Sequence, residues 1–206
     1  TKRVSDWGDG SGQGNDVVQA TSSKQPLRYG YDGQNDKSYF SFDGINDLMT
    51  SSNNSPITTD FTIFEVSRID AVSNNVFGWN DGAASISIGT DASGYMSATV
   101  SDGVNSLSTN TATVNTLSSH IGVLKKHNKR IDLEYYDSSS SITTTDNDSG
   151  FNHSFEFNTA TFDVGSLNAS QFLNGQLQEV IIYNRALSAT EIADVRGYLN
   201  LKYKIY

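Results

Sequence analysis

The sequence predicts an all-β protein in which two antiparallel sheets pack face to face, with one short helix at the C-terminus. Its 206 residues include 10 tyrosines and 10 phenylalanines, and by count 29 serines, 19 asparagines and 18 threonines. Threonine and the aromatic residues favour strands, whereas asparagine, serine and glycine favour turns. Asp-Gly and Asn-Gly pairs recur between short β-rich runs, at the spacing expected of a sandwich or a barrel. We therefore expect a single domain over residues 1-206.

Hydrophobic periodicity predicts the strands. Ile86 and Ile88 alternate with serines, which places the apolar side chains on the inner face of a strand and the polar ones on its outer face. Two runs, within 61–69 and 176–183, are nearly continuous in apolar residues and indicate central strands that are covered on both faces. The predicted strands are 38–42, 61–69, 76–79, 85–88, 95–100, 120–124, 131–136, 154–157, 161–164 and 176–183.

One helix is predicted from about residue 189 to residue 201. Ser188 and Glu191 have the spacing of a capping box, in which the serine hydroxyl accepts from a backbone amide and the glutamate reaches back to the serine amide. Ile192, Val195 and Leu199 follow at helical spacing. This apolar stripe is expected to dock on the sandwich.

Charge and composition exclude several classes of function. The net charge of -9 and the pI near 4.6 repel phosphate backbones and anionic headgroups, so neither nucleic acid nor membrane is an expected partner. The chain has no cysteine, which excludes thiol chemistry and thiolate metal sites. No run of apolar residues is long enough for membrane insertion as a helix. Because residue 1 is threonine, we expect that the chain was processed or cut from a longer one.

Two segments are more specific than their composition. The first is WGDGSGQGND at residues 7–16, followed by Gln19, by Gln25-Pro26 and by FSFDGINDL at residues 40–48. The second is FLNGQLQEVIIYNRALS at residues 172–188, followed by the predicted helix. Together they resemble the concanavalin A-like, laminin-G-like domains of bacterial surface proteins, polysaccharide-degrading enzymes and phage structural proteins. The middle third of the chain carries no motif that matches.

The resemblance implies a jelly roll, that is, a two-sheet sandwich that is often noncatalytic, binds glycans or proteins and sometimes holds a structural calcium ion. The residues themselves support the local structure. The glycine-rich start is expected to form a loop of tight turns, and Asn174-Gly175 to form a hairpin turn that leads into a long strand.

The sequence RIDLE at residues 130–134 tests for catalysis. Laminarinase-type endoglucanases share the resembled fold and carry Glu-x-Asp-x-Glu on a strand, where alternation places three carboxylates on one face. Here Arg130 stands in the position of the nucleophile, so Asp132 and Glu134 cannot begin a double displacement. We expect a solvent-facing strand edge in which Arg130 pairs with these carboxylates, and a protein that is not an enzyme.

The three histidines form no recognisable site in the sequence. His120, His127 and His153 stand beside polar residues, and their separations match no zinc pattern and no hydrolytic triad. All three are expected at the surface.

Calcium is a possible structural cofactor, because this chain is rich in the oxygen ligands that hard cations require. Asp146 and Asp148 alternate before Gly150, like the opening of a calcium loop, but Phe157 stands where such a loop has its glutamate. The alternative is a turn rich in aspartate and asparagine.

A second calcium candidate joins Asp43 and Asp47 to Glu179, because the resemblance implies that their segments approach each other across the sandwich. In the alternative reading, Asp43 and Asp47 cap turns.

A glycan site requires an aromatic ring for the apolar face of a sugar and planar amide or carboxylate groups for its hydroxyls. The segment around Trp79 supplies both, although a tryptophan in a sandwich is also a common core residue. Trp7 is expected to fill a structural position. The predicted glycan-binding residues are Trp79, Asn80, Asp81, Tyr95, Asp102 and Asn105.

These observations favour a noncatalytic, lectin-like module that recognises polysaccharide or cell-surface glycan outside a cell. Two alternatives stay open at this point. One is a structural domain of a phage virion, with other virion or surface-protein subunits as its partners. The other is a polysaccharide-degrading enzyme. The expected location is extracellular, at a cell surface or in a virion.

Overall fold

The computed structural model describes residues 2–30, 37–111 and 118–206 and contains two antiparallel sheets of eight strands each. The first sheet has the strand order β1-β4-β5-β16-β7-β12-β13-β14, and the second has the order β11-β10-β9-β8-β15-β6-β3-β2. The elements are β1 Lys2–Arg3, β2 Asp6–Trp7, β3 Val17–Val18, β4 Leu27–Tyr29, β5 Tyr39–Asp43, β6 Met49–Ser51, β7 Phe61–Ile69, β8 Asn75–Asn80, β9 Ser85–Thr90, β10 Met96–Ser101, β11 Ser106–Asn110, β12 His120–His127, β13 Arg130–Tyr136, β14 Ser141–Asn147, β15 Phe162–Val164, β16 Asn174–Tyr183 and helix α1 Ala189–Tyr203.

The structure confirms the predicted all-β sandwich with one C-terminal helix. The prediction of a strand at 154–157 was wrong, since these residues form turns and irregular backbone. Phe157 there is nevertheless fully buried, and its ring packs edge-on against Phe61 and Trp79. Burial of aromatic rings from a loop therefore gave this segment the composition of a strand.

Two apolar layers explain the continuous apolar runs. Alternate residues of β7, such as Phe61 and Ile63, lie in the core between the sheets. The intervening residues Phe64 and Val66 lie in a second layer beneath α1. A strand with a sheet on one side and a helix on the other has no solvent-facing side, so it loses the polar half of the alternation.

Helix α1 covers the outer face of the first sheet. Ile192 and Leu199 are buried there, and Val195 packs against the same layer. The predicted capping box is present, with the Ser188 hydroxyl accepting from the amide of Glu191. The helix ends at Tyr203, two residues later than predicted, and the left-handed backbone of Lys204 (φ 54°) caps its last turn. Among the described residues, no helix is long and apolar enough to cross a membrane.

The long strand β16 extends beyond the end of its neighbour β5. Pairing between them joins Asn174 to Asp43 and ends where Leu177 meets Phe40, after which a bulge follows in β16. On its other side β16 stays paired with β7 as far as Tyr183. Within the described residues, the edge of β16 beyond Leu177 therefore has no strand beside it.

The core between the sheets also holds ionisable groups. Glu65, His120 and Lys126 are each fully buried, so the prediction of surface histidines was wrong for His120. Its strand, β12, lies inside the first sheet, and position 120 faces the opposite sheet. By contrast, His127 and His153 are exposed, as predicted.

Candidate functional site

A groove of about 530 Å³ opens where the uncovered edge of β16 faces the glycine-rich loop after β2. Residues 179–182 of β16 form one wall, and residues 8–11 of the loop form the other. Phe162 and Val164 of the second sheet line its floor, and Tyr198 of α1, which is 51% exposed, stands at its rim. We call this feature the β16 groove.

The glycine-rich loop is closed by its own carboxylates. Asp9 accepts hydrogen bonds from the amide of Ser11 (2.8 Å), from its hydroxyl (2.8 Å) and from the amide of Asn15 (3.0 Å). Asp16 accepts from the amide of Asp9 at 2.6 Å. The hydrogen bonds from Ser11 lower the pKa of Asp9, so this carboxylate is ionised at neutral pH. The loop is therefore preorganised around a negative charge.

Trp7 supplies an aromatic surface at the groove. It pairs with Val17 in the short β2–β3 ladder, and its partly exposed ring meets the ring of Phe40 edge-on at 4.7 Å. The sequence interpretation had assigned Trp7 a structural role and missed that it lines a cavity. Glycines and aspartates follow the ring in residues 8–16 and indicate a tight polar loop, but the same residue types follow Trp79, so no local signal distinguishes the two rings.

Further polar groups come from the uncovered part of β16 and from α1. Glu179 accepts a hydrogen bond from Nζ of Lys202 at 2.9 Å, and the same amine lies 3.1 Å from the hydroxyl of Tyr198. Burial opposes the charge of Lys202, but the bonds to Glu179 and Tyr198 outweigh it and raise the lysine pKa. Hydrogen bonds through Lys202 therefore connect Glu179 of β16 to Tyr198 of α1.

Trp79 does not form the predicted stacking platform. The ring is 1% exposed, its Nε1 donates to the carbonyl of Ala160 at 3.1 Å, and it meets Phe157 edge-on. The correction has a simple cause: Trp79 points from β8 into the space between the sheets, where neither ring face reaches solvent.

The polar residues near Trp79 serve mainly to close turns at one end of the second sheet. Asp81 accepts from the amides of Ala83 and Ala84, and Asp102 accepts from those of Val104, Asn105 and Asn152. Burial opposes their ionisation, but these bonds lower the pKa of both carboxyl groups. Asn80 accepts from the amide of Gly82, and Asn105 donates to the carbonyl of Gly150.

The six predicted glycan-binding residues come together only in part. The turns that begin at Asp81 and Asp102 touch, because a Cβ at Gly103 would lie 3.5 Å from Ala83. Tyr95 lies at the other end of the sheet, just before β10, so the six residues of that strand separate it from Asp102. At about 3.3 Å per residue this is roughly 20 Å. The expectation that Tyr95 joins these residues was wrong.

The calcium candidate that joins Asp43 and Asp47 to Glu179 is divided by the fold. Asp43 and Asp47 share one turn, in which the Asp43 amide donates to Asp47 at 3.2 Å. Burial and the charge of Asp43 raise the pKa of Asp47 to about 6, which is the environment that a cation would relieve. Glu179 lies five residues along β16 from Asn174, the partner of Asp43, and is bound to Lys202. The three carboxylates therefore do not converge.

In the calcium candidate at Asp146 and Asp148, the carboxylates make turn and ladder contacts instead. Asp146 accepts from the amide of Ser108 at 2.7 Å, and Asp148 accepts from that of Gly150 at 2.7 Å. In the described ranges, no three acidic or histidine side chains are grouped so that they could hold a metal. Calcium binding stays a prediction.

The RIDLE segment belongs to β13, which is an internal strand of the first sheet. Arg130 pairs with Asp132 (2.6 Å), as predicted, but β13 lies between β12 and β14 rather than at an edge, and Asp132 is only 6% exposed. Glu134 accepts from the hydroxyl of Tyr136. The absence of catalytic activity stays a prediction.

Comparison with known proteins places the fold. No family model and no curated protein matches the sequence. Among solved structures, the carbohydrate-binding module CBM40 of the Ruminococcus gnavus IT-sialidase, bound to alpha2,3 sialyllactose, has a TM-score of 0.53 and 18% identity, over 68% of this chain and 84% of that one. Domain 4 of AbnA, an extracellular arabinanase from Geobacillus stearothermophilus in complex with arabinotriose, has a TM-score of 0.64 and 12% identity, over 83% and 81%.

A third similar structure is tailspike protein 2 of an Escherichia coli O157:H7 bacteriophage. Its TM-score is 0.64 at 13% identity, and the match covers 98% of this chain but 28% of the tailspike. Identities this low show the fold alone. That fold is a two-sheet antiparallel β-sandwich, as the sequence predicted.

Proposed function

We propose that this domain binds glycans in the β16 groove and performs no chemistry on them. The observation that carries the proposal is the groove itself, which joins the partly exposed ring of Trp7 to hydrogen-bonding groups around a cavity of about 530 Å³. This volume is within the range of small-molecule sites, which are mostly apolar with a few well-placed polar groups.

The groove residues divide the recognition of a sugar between them. The partly exposed ring of Trp7 offers an apolar surface for the faces of sugar rings. Around it stand the carboxylate of Glu179, the hydroxyl of Tyr198 and the amide side chain of Asn15, which makes no hydrogen bond of its own among the described residues. Because Asp9 preorganises the loop, little ordering entropy is lost when a ligand binds.

Two of the similar structures support a carbohydrate ligand, since one contains sialyllactose and the other arabinotriose. They support it only through a shared fold, and a fold by itself does not determine a function. We further propose that the domain acts outside a cell, at a cell surface or in a virion, where polysaccharides are accessible.

Isothermal titration of the wild type against neutral oligosaccharides, arabinotriose included, tests the proposal. Trp7→Ala is expected to weaken binding at least tenfold, and Asn15→Ala several-fold. Tyr206→Ala is the matched control, because it removes another partly exposed aromatic ring outside the groove residues.

Melting curves of all variants separate lost binding from lost folding. Since the Asn15 side chain holds nothing in place, Asn15→Ala remains informative even if Trp7→Ala unfolds. The proposal is wrong if no glycan binds, or if both groove variants bind as tightly as the wild type.

A second candidate function is a structural domain of a phage particle. The observation that favours it is the tailspike match, which extends over 98% of this chain. In that case the domain is expected to associate with copies of itself or with other virion subunits. Light scattering after size exclusion, at several protein concentrations, tests self-association directly.

A further inference from the structure

We infer that the β16 groove selects uncharged glycans and excludes those that carry carboxylate or sulfate groups. This inference rests on the proposed glycan binding and adds the chemical class of the ligand. The observation behind it is the charge of the residues that line the groove.

The described lining residues of the groove include two carboxylates, Asp9 and Glu179, and no lysine, arginine or histidine. Residues 4–23, which include the loop wall, contain Asp6, Asp9 and Asp16 but no lysine or arginine, although Lys2, Arg3 and Lys24 flank this segment. Asp9 keeps its charge at neutral pH because Ser11 donates to it twice, which lowers its pKa.

Lys202, which contacts two groove residues, does not reverse this balance. Lys202 is bound to Glu179 at 2.9 Å and to Tyr198 at 3.1 Å, so its ammonium group already has its partners. It offsets the charge of Glu179 and leaves that of Asp9 uncompensated. Among the described residues that line the groove, a ligand with a carboxylate or sulfate would meet like charge and no free cation.

Uncharged sugars are not affected in this way. Their hydroxyls can donate hydrogen bonds to Glu179 and Asp9, and bonds to a charged acceptor are stronger than those between neutral groups. The two oligosaccharides in the similar structures differ on this point, because arabinotriose is neutral and sialyllactose carries a carboxylate. The charges of this groove favour the former.

Titration of the intact domain against a matched ligand pair tests the inference. Lactose and alpha2,3 sialyllactose differ by one sialic acid, and arabinotriose provides a second neutral ligand. We expect the neutral ligands to bind at least tenfold more tightly than sialyllactose at low salt. Raising the salt concentration should narrow this gap by strengthening the binding of sialyllactose, since salt screens the repulsion.

Two variants localise the effect. Glu179→Gln removes one negative charge from the groove, frees the ammonium group of Lys202 and replaces a charged acceptor with a neutral one. Neutral ligands should therefore bind a few-fold less tightly, whereas sialyllactose should not lose affinity, so the preference for neutral ligands should fall at least fivefold. Glu134→Gln removes the same charge from β13, three strands away in the first sheet, and should change neither.

The outcomes distinguish the two proposals. Binding of neutral ligands together with weak binding of sialyllactose supports the inference. Equal or tighter binding of sialyllactose overturns the inference but leaves glycan binding standing. If none of these ligands binds, and a wider panel of neutral and acidic oligosaccharides also fails, the proposed function falls and the inference with it.

Discussion

The carboxylate of Glu65 lies 3.1 Å from Nε2 of His120 in the core between the two sheets, where both side chains are shielded from solvent. Ser67 places its hydroxyl 3.3 Å from the same nitrogen, and the ring of Tyr135 packs on the imidazole at 4.8 Å. A glycine at position 122 leaves room for the carboxylate, since a Cβ there would collide with Glu65. The sandwich therefore encloses an ion pair in an apolar environment.

This pair should make stability depend on pH. Burial disfavours the imidazolium, but attraction to Glu65 and the contact with its carboxylate outweigh this and raise the pKa of His120. A raised pKa in the folded state stabilises the fold fully below the unfolded value of 6.5, and this contribution is lost as pH rises through the folded pKa. Urea unfolding between pH 6 and 9 should show the decline.

Glu65→Gln tests the origin of that dependence. Removing one partner of a buried pair costs about 3–5 kcal/mol, so the variant should be much less stable at pH 6 and show a flatter pH profile. His153→Ala, which removes an exposed histidine, should keep the wild-type profile. An unchanged slope in Glu65→Gln would assign the pH dependence to other groups.

Trp79 is predicted to act in stability rather than in binding. Trp79→Ala removes a buried ring and its hydrogen bond to Ala160, and should lower the free energy of unfolding by about 3–5 kcal/mol. Trp79→Phe should cost less, because it keeps most of the volume. Glycan binding by the folded fraction of either variant should equal that of the wild type. A loss of binding without a matching loss of stability would show that Trp79 takes part in glycan binding.

Two glycines of the chain should respond to alanine in opposite directions. A Cβ at Gly78 would lie 2.7 Å from Cα of Leu167, where the 165–171 segment crosses the sheet. Gly78→Ala should therefore destabilise the fold by about 1–3 kcal/mol. Gly197 in α1 has open space around it, so Gly197→Ala should stabilise the helix by about 0.5–1 kcal/mol. Chemical denaturation of both variants checks the sign of each change.

The calcium prediction can be tested at the Asp43–Asp47 turn. A bound cation would offset the repulsion that raises the pKa of Asp47, so added calcium should increase the melting temperature. Asp47→Asn should abolish the increase, whereas Asp146→Asn should preserve it. The reverse pattern would locate calcium at the 146–150 turn, and no response to calcium in the wild type would contradict both sites.

The strands could be predicted because their signal is local. In Ser85–Thr90, serines alternate with isoleucines, and this period of two is visible without knowledge of the partner strands. The capping box at Ser188 is equally local, since both of its bonds join residues three positions apart. By contrast, very short strands such as Val17–Val18 carry no period and are defined by the ladder that they join.

The site could not be predicted in the same way. Trp7 and Trp79 both stand next to a glycine and within two residues of an aspartate, so local composition does not distinguish them. One ring lines an open groove and the other lies in the core, and this difference depends on which distant segments cover each ring. Glu65 and His120 are 55 positions apart in the chain, and only the register of β7 with β12 brings them together.

The amino-acid order determined the class of fold, the position of the helix and the acidic character of the domain, because periodicity, capping and net charge are properties of neighbouring residues or of simple counts. The tertiary structure decided where β5 stops beside β16, and hence where a groove opens, which tryptophan faces it and which carboxylates line it. These features depend on long-range pairing and solvent exposure, which arise only when segments far apart in the chain pack together.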